Sequence, residues 1–316
     1  MLNAIIFRIK RNVYRYFFFR LFVFTVIVAL FDYGIGSMLE YFYFKQTSGV
    51  QFRTTYSIEK TTADVLIIGT SRAGHDYRPD IFGHRLNLSC YDVGRDASYI
   101  FYQYAVLTAI LKRYSPKMII LDFLNGEFKL DRESYDRLQS LLPYYKTHPE
   151  IRPMIELKSP FEKIKLLSRI YPFNSSILTI AAGNTEFNKK RSGDFDGYVG
   201  LTKGWNEPIK SADNAWTAYI VDSTKIKIFE AFIKDCIQAK VKLYIVCSPY
   251  FIKKEKMDYS IACGMKIAKK YNIAFYDFSR DSTFLANPKF FADEIHLNDS
   301  GAQVFSNLLI DKILIR

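Results

Sequence analysis

The chain has 316 residues, enough for one large α/β domain or two small domains with a well-buried core. Its net charge is +12, and its 49% hydrophobic and 24% charged content is ordinary for a globular protein. The basic residues form no run typical of nucleic-acid binding, and P-loop, GxGxxG, HExxH and close CxxC motifs are absent from the sequence. We therefore expect no nucleic-acid partner, no metal and no cofactor.

A long apolar segment follows the N-terminus. Residues 21–31 read LFVFTVIVALF, and the stretch predicts a transmembrane helix over residues 21–38. The preceding residues 1–20 carry no acidic side chain but five basic ones: Arg8, Lys10, Arg11, Arg15 and Arg20. The positive-inside rule places that segment in the cytoplasm and the rest of the chain outside, in the periplasm or at the cell surface. Asp32 must then lie near the far interface or find a partner. A cleaved signal peptide is the alternative, and both interpretations predict export.

Residues 39–62 predict an irregular linker, and strand and helix patterns alternate from residue 63 to residue 316. Strands are expected within 63–72, 88–94, 117–123, 241–250 and 273–279. Helices are expected over 98–113, 225–239, 257–271 and 299–313. This alternation predicts a three-layer α/β/α sandwich of flavodoxin-like type, with a mostly parallel sheet of about five strands. Active groups in such folds gather at the carboxyl ends of the strands.

Residues 127–220 interrupt the alternation and are rich in Lys, Pro, Asn and Gly. We interpret them as an insertion of short helices and loops within the domain. An insertion of this length beside a site is often a lid or a substrate-binding cap.

Two short motifs carry the candidate chemistry. Gly69-Thr70-Ser71-Arg72 ends the first predicted strand, which places the Ser71 hydroxyl at the lip of the sheet. Asp293-Glu294-Ile295-His296 lies before the last helix, and an Asp three residues before a His can orient the imidazole as a general base. A serine hydroxyl is a weak nucleophile until such a base takes its proton. Each motif alone is common, as a simple turn or a chance pair, but their placement predicts a Ser71–His296–Asp293 triad.

The G-T-S-R block near the start and the D-x-x-H-L-N block near the end resemble the SGNH (GDSL-like) hydrolase family, over roughly residues 63–313. The N-terminal anchor, the GTSR variant and the Gly-Tyr-Val segment at 197–199 look most like membrane-anchored bacterial envelope members. The resemblance implies Ser71 as nucleophile, with Asp293 and His296 in one loop.

The resemblance also implies an oxyanion hole of three donors: the N–H of Ser71, the N–H of Gly94 and the side chain of Asn125. The family's usual G-x-N-D block is absent around Asn125, and the Asp that usually precedes the serine is Thr70 here. Turn roles remain open for Gly94 and Asn125. Arg72 is a candidate for binding an anionic substrate group, with pairing to a carboxylate such as Asp96 as the structural alternative.

The predicted function is a serine-dependent ester hydrolase, for example an O-acetyl or other acyl esterase on envelope or extracellular glycan. The alternatives are an O-acyltransferase that modifies an envelope polysaccharide, and a catalytically inactive relative that binds glycan. The expected partners are an acylated carbohydrate or another ester, and the membrane through the N-terminal helix. A transferase would also need a membrane partner to supply its acyl group, because the chain has one predicted span.

Overall fold

The computed structural model describes residues 2–185, 194–202, 204–205, 219–251 and 257–315, with backbone only for residues 2–12. The chain begins with a long helix, α1 (Leu2–Phe44). A short helix α2 (Gly49–Thr55) follows and continues into a π-helical turn, Tyr56–Lys60. The expectation of an irregular linker over residues 39–62 is therefore wrong. The segment is largely helical because its side chains enter the core, as Leu39, Tyr43 and Ile58 do.

A five-stranded parallel sheet in the order β2-β1-β3-β6-β7 forms the centre of the domain, as predicted. Its strands are β1 (Val65–Ile68), β2 (Cys90–Asp92), β3 (Met118–Asp122), β6 (Lys242–Cys247) and β7 (Ala274–Asp277). A separate two-stranded antiparallel hairpin consists of β4 (Asp194–Phe195) and β5 (Tyr198–Val199). All residues of the central strand β1 are apolar, as are those of β3 up to its last residue, Asp122, which suits strands whose two faces are both covered.

Helices cover the sheet on both faces and complete the α/β/α sandwich. Leu66 and Ile68 of β1 pack into one apolar cluster, whereas Val65 and Ile67 pack into the other. The first cluster holds α5 (Ile100–Arg113), α10 (Ser223–Gln238) and α11 (Tyr259–Lys270). The second holds α3 (Ser71–Asp76), α4 (Pro79–Leu86) and α12 (Asp299–Leu314). The alternation of side chains along one strand thus separates the two helical layers.

The described part of residues 127–220 consists of short helices, connecting loops and the β4–β5 hairpin. Its α-helices are α6 (Arg132–Asp136), α7 (Arg152–Glu156), α8 (Glu162–Lys165) and α9 (Ile177–Gly183). Its 3₁₀ turns are Arg137–Tyr144, Pro149–Ile151 and Tyr171–Ser176, and a further one, Pro288–Phe290, precedes α12. We call the described part of residues 127–185 the cap.

One helix among the described residues is long and apolar enough to cross a membrane: the stretch Val13–Phe44 of α1. Its apolar side chains are mostly exposed up to Phe31. The cap packs against the later turns, where Asp32 accepts hydrogen bonds from the backbone N–H of Arg169 (2.7 Å) and the hydroxyl of Ser168 (2.5 Å). A carboxylate in an apolar helix is costly without hydrogen-bond donors, and Ser168 and Arg169 supply them to Asp32.

Candidate active site

Ser71 is the first residue of α3 and stands just beyond the carboxyl end of β1. Thr70 caps the helix by accepting a hydrogen bond from the Arg72 N–H (3.3 Å). The turn before it requires glycine at position 69, where a Cβ would lie 2.8 Å from the Cβ atoms of Ala73 and Asp122. The close approach of this turn to β3 fixes Ser71 at the lip of the sheet.

The loop before α12 brings His296 and Asp293 to the same edge. Ser71 Oγ lies 2.8 Å from His296 Nε2, and His296 Nδ1 lies 2.8 Å from Asp293 Oδ2. The other oxygen of Asp293 accepts hydrogen bonds from the backbone N–H groups of Ile295 and His296, each at 2.9 Å. The carboxylate therefore holds both the ring and the backbone of the histidine. The structure brings together the three side chains that the sequence singles out.

The electrostatic surroundings of His296 and Asp293 favour an imidazole that accepts a proton. Burial lowers the pKa of His296, but the hydrogen bond with Asp293 and the charge of Asp76 outweigh it, so the pKa is raised. Burial raises the pKa of Asp293, but the hydrogen bonds from His296 and the Ile295 N–H lower it to about 2. Asp293 is thus ionised at neutral pH and stabilises the imidazolium.

Arg72 is buried, which favours the structural alternative that the sequence left open over contact with a substrate. Its side chain is 3% exposed, and its guanidinium donates to Ser248 Oγ (3.0 Å), the Pro249 carbonyl (2.9 Å) and the Ile295 carbonyl (3.1 Å). It also stacks on Tyr250, with 3.8 Å from Cζ to the ring centre. Its nearby carboxylates are Asp76 at 4.0 Å and Asp122 at 3.8 Å, rather than the expected Asp96. Arg72 lies beneath the site and supports it.

Asp76 is a second buried support that sequence reasoning missed. Its Oδ1 accepts the backbone N–H of Leu297 at 2.8 Å, directly after His296. Burial raises its pKa to about 7, although the neighbouring Arg72 acts in the opposite direction. Its position five residues after Ser71, in the same short helix, is the only sequence signal that points to it.

The three expected oxyanion donors differ in their surroundings. The N–H of Ser71 starts a helix and so has no intrahelical acceptor. The N–H of Gly94 already donates to Asp92 Oδ1 at 2.6 Å, so the expectation that it faces an oxyanion is not met in this structure. Asn125 lies in the turn after β3, where its backbone N–H donates to Tyr250 Oη (3.2 Å) and its side chain is half-buried.

Beside the triad residues lies His75, which the sequence analysis left without a role. Its ring centre is 5.3 Å from that of His296 in an edge-on contact, and its Nδ1 bonds to the Val199 carbonyl at 2.6 Å. His75 also lines a cleft of about 1000 Å³. Other residues in the walls of that cleft are Val50, Arg53, Arg95, Asp96, Arg132 and Thr179. The cap and α2 therefore border a wide, open cleft next to His75, with both polar and apolar groups in its walls.

Among the described residues, no cluster of three or more His, Cys, Asp or Glu side chains is arranged to hold a metal ion. The four cysteines, Cys90, Cys236, Cys247 and Cys263, are free thiols.

Comparison with known proteins gives likeness in structure only. Neither a protein-family model nor a curated protein matches the chain. Similar solved structures include an acylhydrolase-assigned protein from Bacteroides fragilis, with 12% identity, TM-score 0.43 and coverage of 85% of this chain and 97% of that one. An acetyl xylan esterase has 11% identity and a TM-score of 0.41, with coverage of 79% of this chain and 99% of that one. A lipase/acylhydrolase from Enterococcus faecalis has 9% identity and a TM-score of 0.39, with coverage of 79% of this chain and 94% of that one. Because every one of these TM-scores is below 0.5, these structures do not decide what this chain does.

Proposed function

We propose that this chain is a serine esterase that removes an acyl group from a large polar substrate, with glycan as the substrate class. The observation that carries the proposal is the pair of 2.8 Å contacts joining Ser71 to His296 and His296 to Asp293. The resemblance of the two motifs to SGNH hydrolases supports the same chemistry. The breadth of the cleft beside His75, and the charged and hydroxyl side chains in its walls, suit a carbohydrate better than a small apolar ester.

In the proposed reaction, Ser71 Oγ attacks the ester carbonyl while its proton passes to His296 Nε2. The tetrahedral oxyanion accepts a hydrogen bond from the N–H of Ser71, and the Asn125 side chain is the second candidate donor. Collapse of the intermediate breaks the bond to the alcohol, which takes the proton from His296 and leaves an acyl-serine. Water, deprotonated by His296, then attacks the acyl-serine and releases the carboxylic acid with regeneration of Ser71.

An O-acyltransferase is the second candidate, since its chemistry differs only in that a sugar hydroxyl replaces water in the last step. The apolar helix α1 favours it, because a chain held at a membrane lies close to membrane-borne acyl donors. We place the N-terminus in the cytoplasm and the domain outside in both cases, since the basic residues precede the apolar stretch.

The test uses full-length protein in lipid nanodiscs with an O-acetylated oligosaccharide and, separately, with 4-nitrophenyl acetate plus a free oligosaccharide. Esterase activity predicts free acetate from both substrates, and no acetylated oligosaccharide in the second. Acetylated product would favour the transferase. Ser71→Ala should abolish either activity and labelling by a fluorophosphonate, whereas Ser282→Ala, at an exposed serine, should leave them unchanged. Equal labelling of the Ser71→Ala protein, or none of the parent, would refute both enzymatic proposals.

A further inference from the structure

The cap carries an exposed apolar surface that the proposed chemistry does not use. Five large apolar side chains lie on it: Phe161, Ile164, Leu167, Ile177 and Leu178. Leu167 is 79% exposed and Leu178 is 85% exposed, values far above those of the cap's core residues. Phe161, Ile164 and Leu167 recur at every third residue along the chain around α8, and Ile177 and Leu178 begin α9. Large apolar side chains exposed in this number mark a contact surface. We call these five residues the apolar face of the cap.

Contacts with α1 fix the position of this face along the apolar helix. Leu167 directly precedes Ser168, whose hydroxyl bonds to Asp32. Next to it, Arg169 donates its N–H to the same carboxylate, and a Cβ at Gly36 would overlap the Arg169 backbone. Consecutive Cα atoms are about 3.8 Å apart, so Leu167 lies at the level of Asp32.

The length of α1 sets the depth of that level in a membrane. If the hydrocarbon layer begins at Val13, Asp32 lies about 29 Å along the helix, close to the far boundary of a layer about 30 Å thick. A layer that begins at Leu21 would place Asp32 only about 16 Å along the helix and would bury the charged Arg169 beside it in hydrocarbon, at a high cost. The first placement avoids that cost and puts Leu167 at the outer boundary of the bilayer.

The apolar surface of α1 also continues past Asp32, beside the cap. Its exposed side chains there are Tyr33, Ile35, Met38, Tyr41 and Phe42. The tyrosines suit the boundary between acyl chains and headgroups. The cap segment 156–169 contains four basic and two acidic residues, a net +2 that suits anionic headgroups. The apolar face therefore adjoins an apolar surface of α1, and the charges around it suit a lipid surface.

We propose that the apolar face of the cap inserts into the outer boundary of the bilayer that α1 crosses. The domain then rests on the membrane at two places, the helix and the cap. Helix α9 lies between two environments, because Ile177 and Leu178 face the lipid while Ser176 and Thr179 line the cleft. The cleft lined by His75 thus opens next to the membrane surface. This inference rests on the proposed membrane span and not on the proposed ester chemistry.

The test places single tryptophans in the full chain, reconstituted in vesicles of phosphatidylcholine and phosphatidylglycerol with or without bromine on the acyl chains. Leu167→Trp and Leu178→Trp probe the face, and Leu30→Trp in α1 is the positive control. Ile315→Trp is the matched negative control, because Ile315 is 87% exposed and directly follows α12, which packs against α3 and α4. Circular dichroism of each variant checks folding, and the parent protein gives the background from its own two tryptophans.

We expect bromolipid to quench the added emission of Leu167→Trp and Leu178→Trp about as strongly as that of Leu30→Trp, and to leave that of Ile315→Trp unchanged. Quenching of Leu30→Trp alone would overturn the proposal and show a cap that stands clear of lipid or covers another surface. No quenching at any site would remove the membrane span as well. The ester chemistry would stand in both cases, since Ser71 labelling measures it separately.

Discussion

Arg72 donates a hydrogen bond of 3.1 Å to the carbonyl oxygen of Ile295, so the neighbour of Ser71 holds the neighbour of His296. Asp76, from the same helix, accepts the N–H of Leu297 on the other side of the histidine. Helix α3 therefore carries the candidate nucleophile and also binds the loop of the candidate base before and after the ring. The two buried side chains make the 2.8 Å contact between Ser71 and His296 a property of one rigid unit.

Arg72→Lys tests this unit. A lysine keeps the positive charge near Asp76 and Asp122 but loses the planar fork that reaches Ser248 and Ile295 together. We expect kcat to fall about 100-fold with KM little changed, because a loosened base loop misplaces the proton acceptor. Steady-state hydrolysis of 4-nitrophenyl acetate measures both constants. Arg85→Lys, in a surface pair with Asp311, should change neither. A variant with full kcat would show that the Ile295 contact does not position the loop.

Asp76 offers a pH-dependent test of stability. Its pKa in the folded protein is about 7, raised by burial above its ordinary 3.8, so the folded state binds its proton more tightly. The stability that it contributes is complete below pH 3.8 and is lost as pH rises through about 7. Asp76→Asn keeps an oxygen acceptor for Leu297 and removes this titration. Thermal unfolding should show a smaller drop in melting temperature from pH 5 to pH 8 in the variant than in the parent.

Asp76→Ala tests the hydrogen bond to Leu297 apart from the charge of Asp76. Unlike Asp76→Asn, it leaves the buried Leu297 N–H without an acceptor. The expected cost is about 1–3 kcal/mol in the free energy of unfolding, together with a loss of kcat that Asp76→Asn does not share. Equal pH dependence in the parent and the Asn variant, or equal kcat in the Ala and Asn variants, would contradict these roles.

Asp293→Asn addresses the base itself. The base must be neutral, and Asp293 raises the pKa of His296, so activity of the parent should fall with acid below a midpoint above 6.5. The variant should lose about 10³- to 10⁴-fold in kcat, and its acid limb should move to lower pH because the imidazolium has lost its carboxylate. The pH profile of kcat/KM measures this shift. Glu294→Gln removes a charge from the next, exposed residue and should leave the profile in place. An unmoved limb in Asp293→Asn would exclude this carboxylate as the partner of the base.

The sequence predicts most of the sheet because its strongest signals are local. The runs VLII and MIIL are apolar throughout, and only a strand covered on both faces needs that pattern. The positions of Ser71 and His296, after the first strand and before the last helix, identify both residues in the sequence. Parallel order then brings both positions to one edge of the sheet.

Other features depend on partners that are distant in sequence. Nothing in the sequence near Arg72 distinguishes it from an exposed arginine. Only the folded chain surrounds it with Ser248, Pro249 and Ile295. The segment 39–62 has a polar composition typical of a linker. Yet Thr55 is buried because its hydroxyl bonds to Tyr144 Oη at 2.6 Å, across 89 residues. No periodicity within a segment can predict such a contact.

Asp32 tests whether the cap depends on α1. Asp32→Ala removes the acceptor for the Ser168 hydroxyl and for the N–H groups of Arg169 and Ile170. Unpaired donors in a low-dielectric setting cost about 1–3 kcal/mol each, so we expect the cap to detach from the helix. Trypsin should then cleave after Arg169 at least about tenfold faster in detergent solution, where no bilayer shields the cap, which corresponds to about 1.4 kcal/mol of lost docking energy. Labelling of Ser71 by a fluorophosphonate should persist, because the triad residues are held by α3 and the loop before α12.

Two further variants sharpen that test. Gly36→Val should give the same fast cleavage by a steric route, since its Cβ would overlap the Arg169 backbone while every hydrogen-bonding group of Asp32 remains. Thr25→Ala is the control, because the Thr25 hydroxyl bonds only to the Leu21 carbonyl within α1 at an exposed position. Slow cleavage in both Asp32→Ala and Gly36→Val would mean that the cap holds its place without the helix. Fast cleavage in Thr25→Ala would instead attribute the effect to a general weakening of α1.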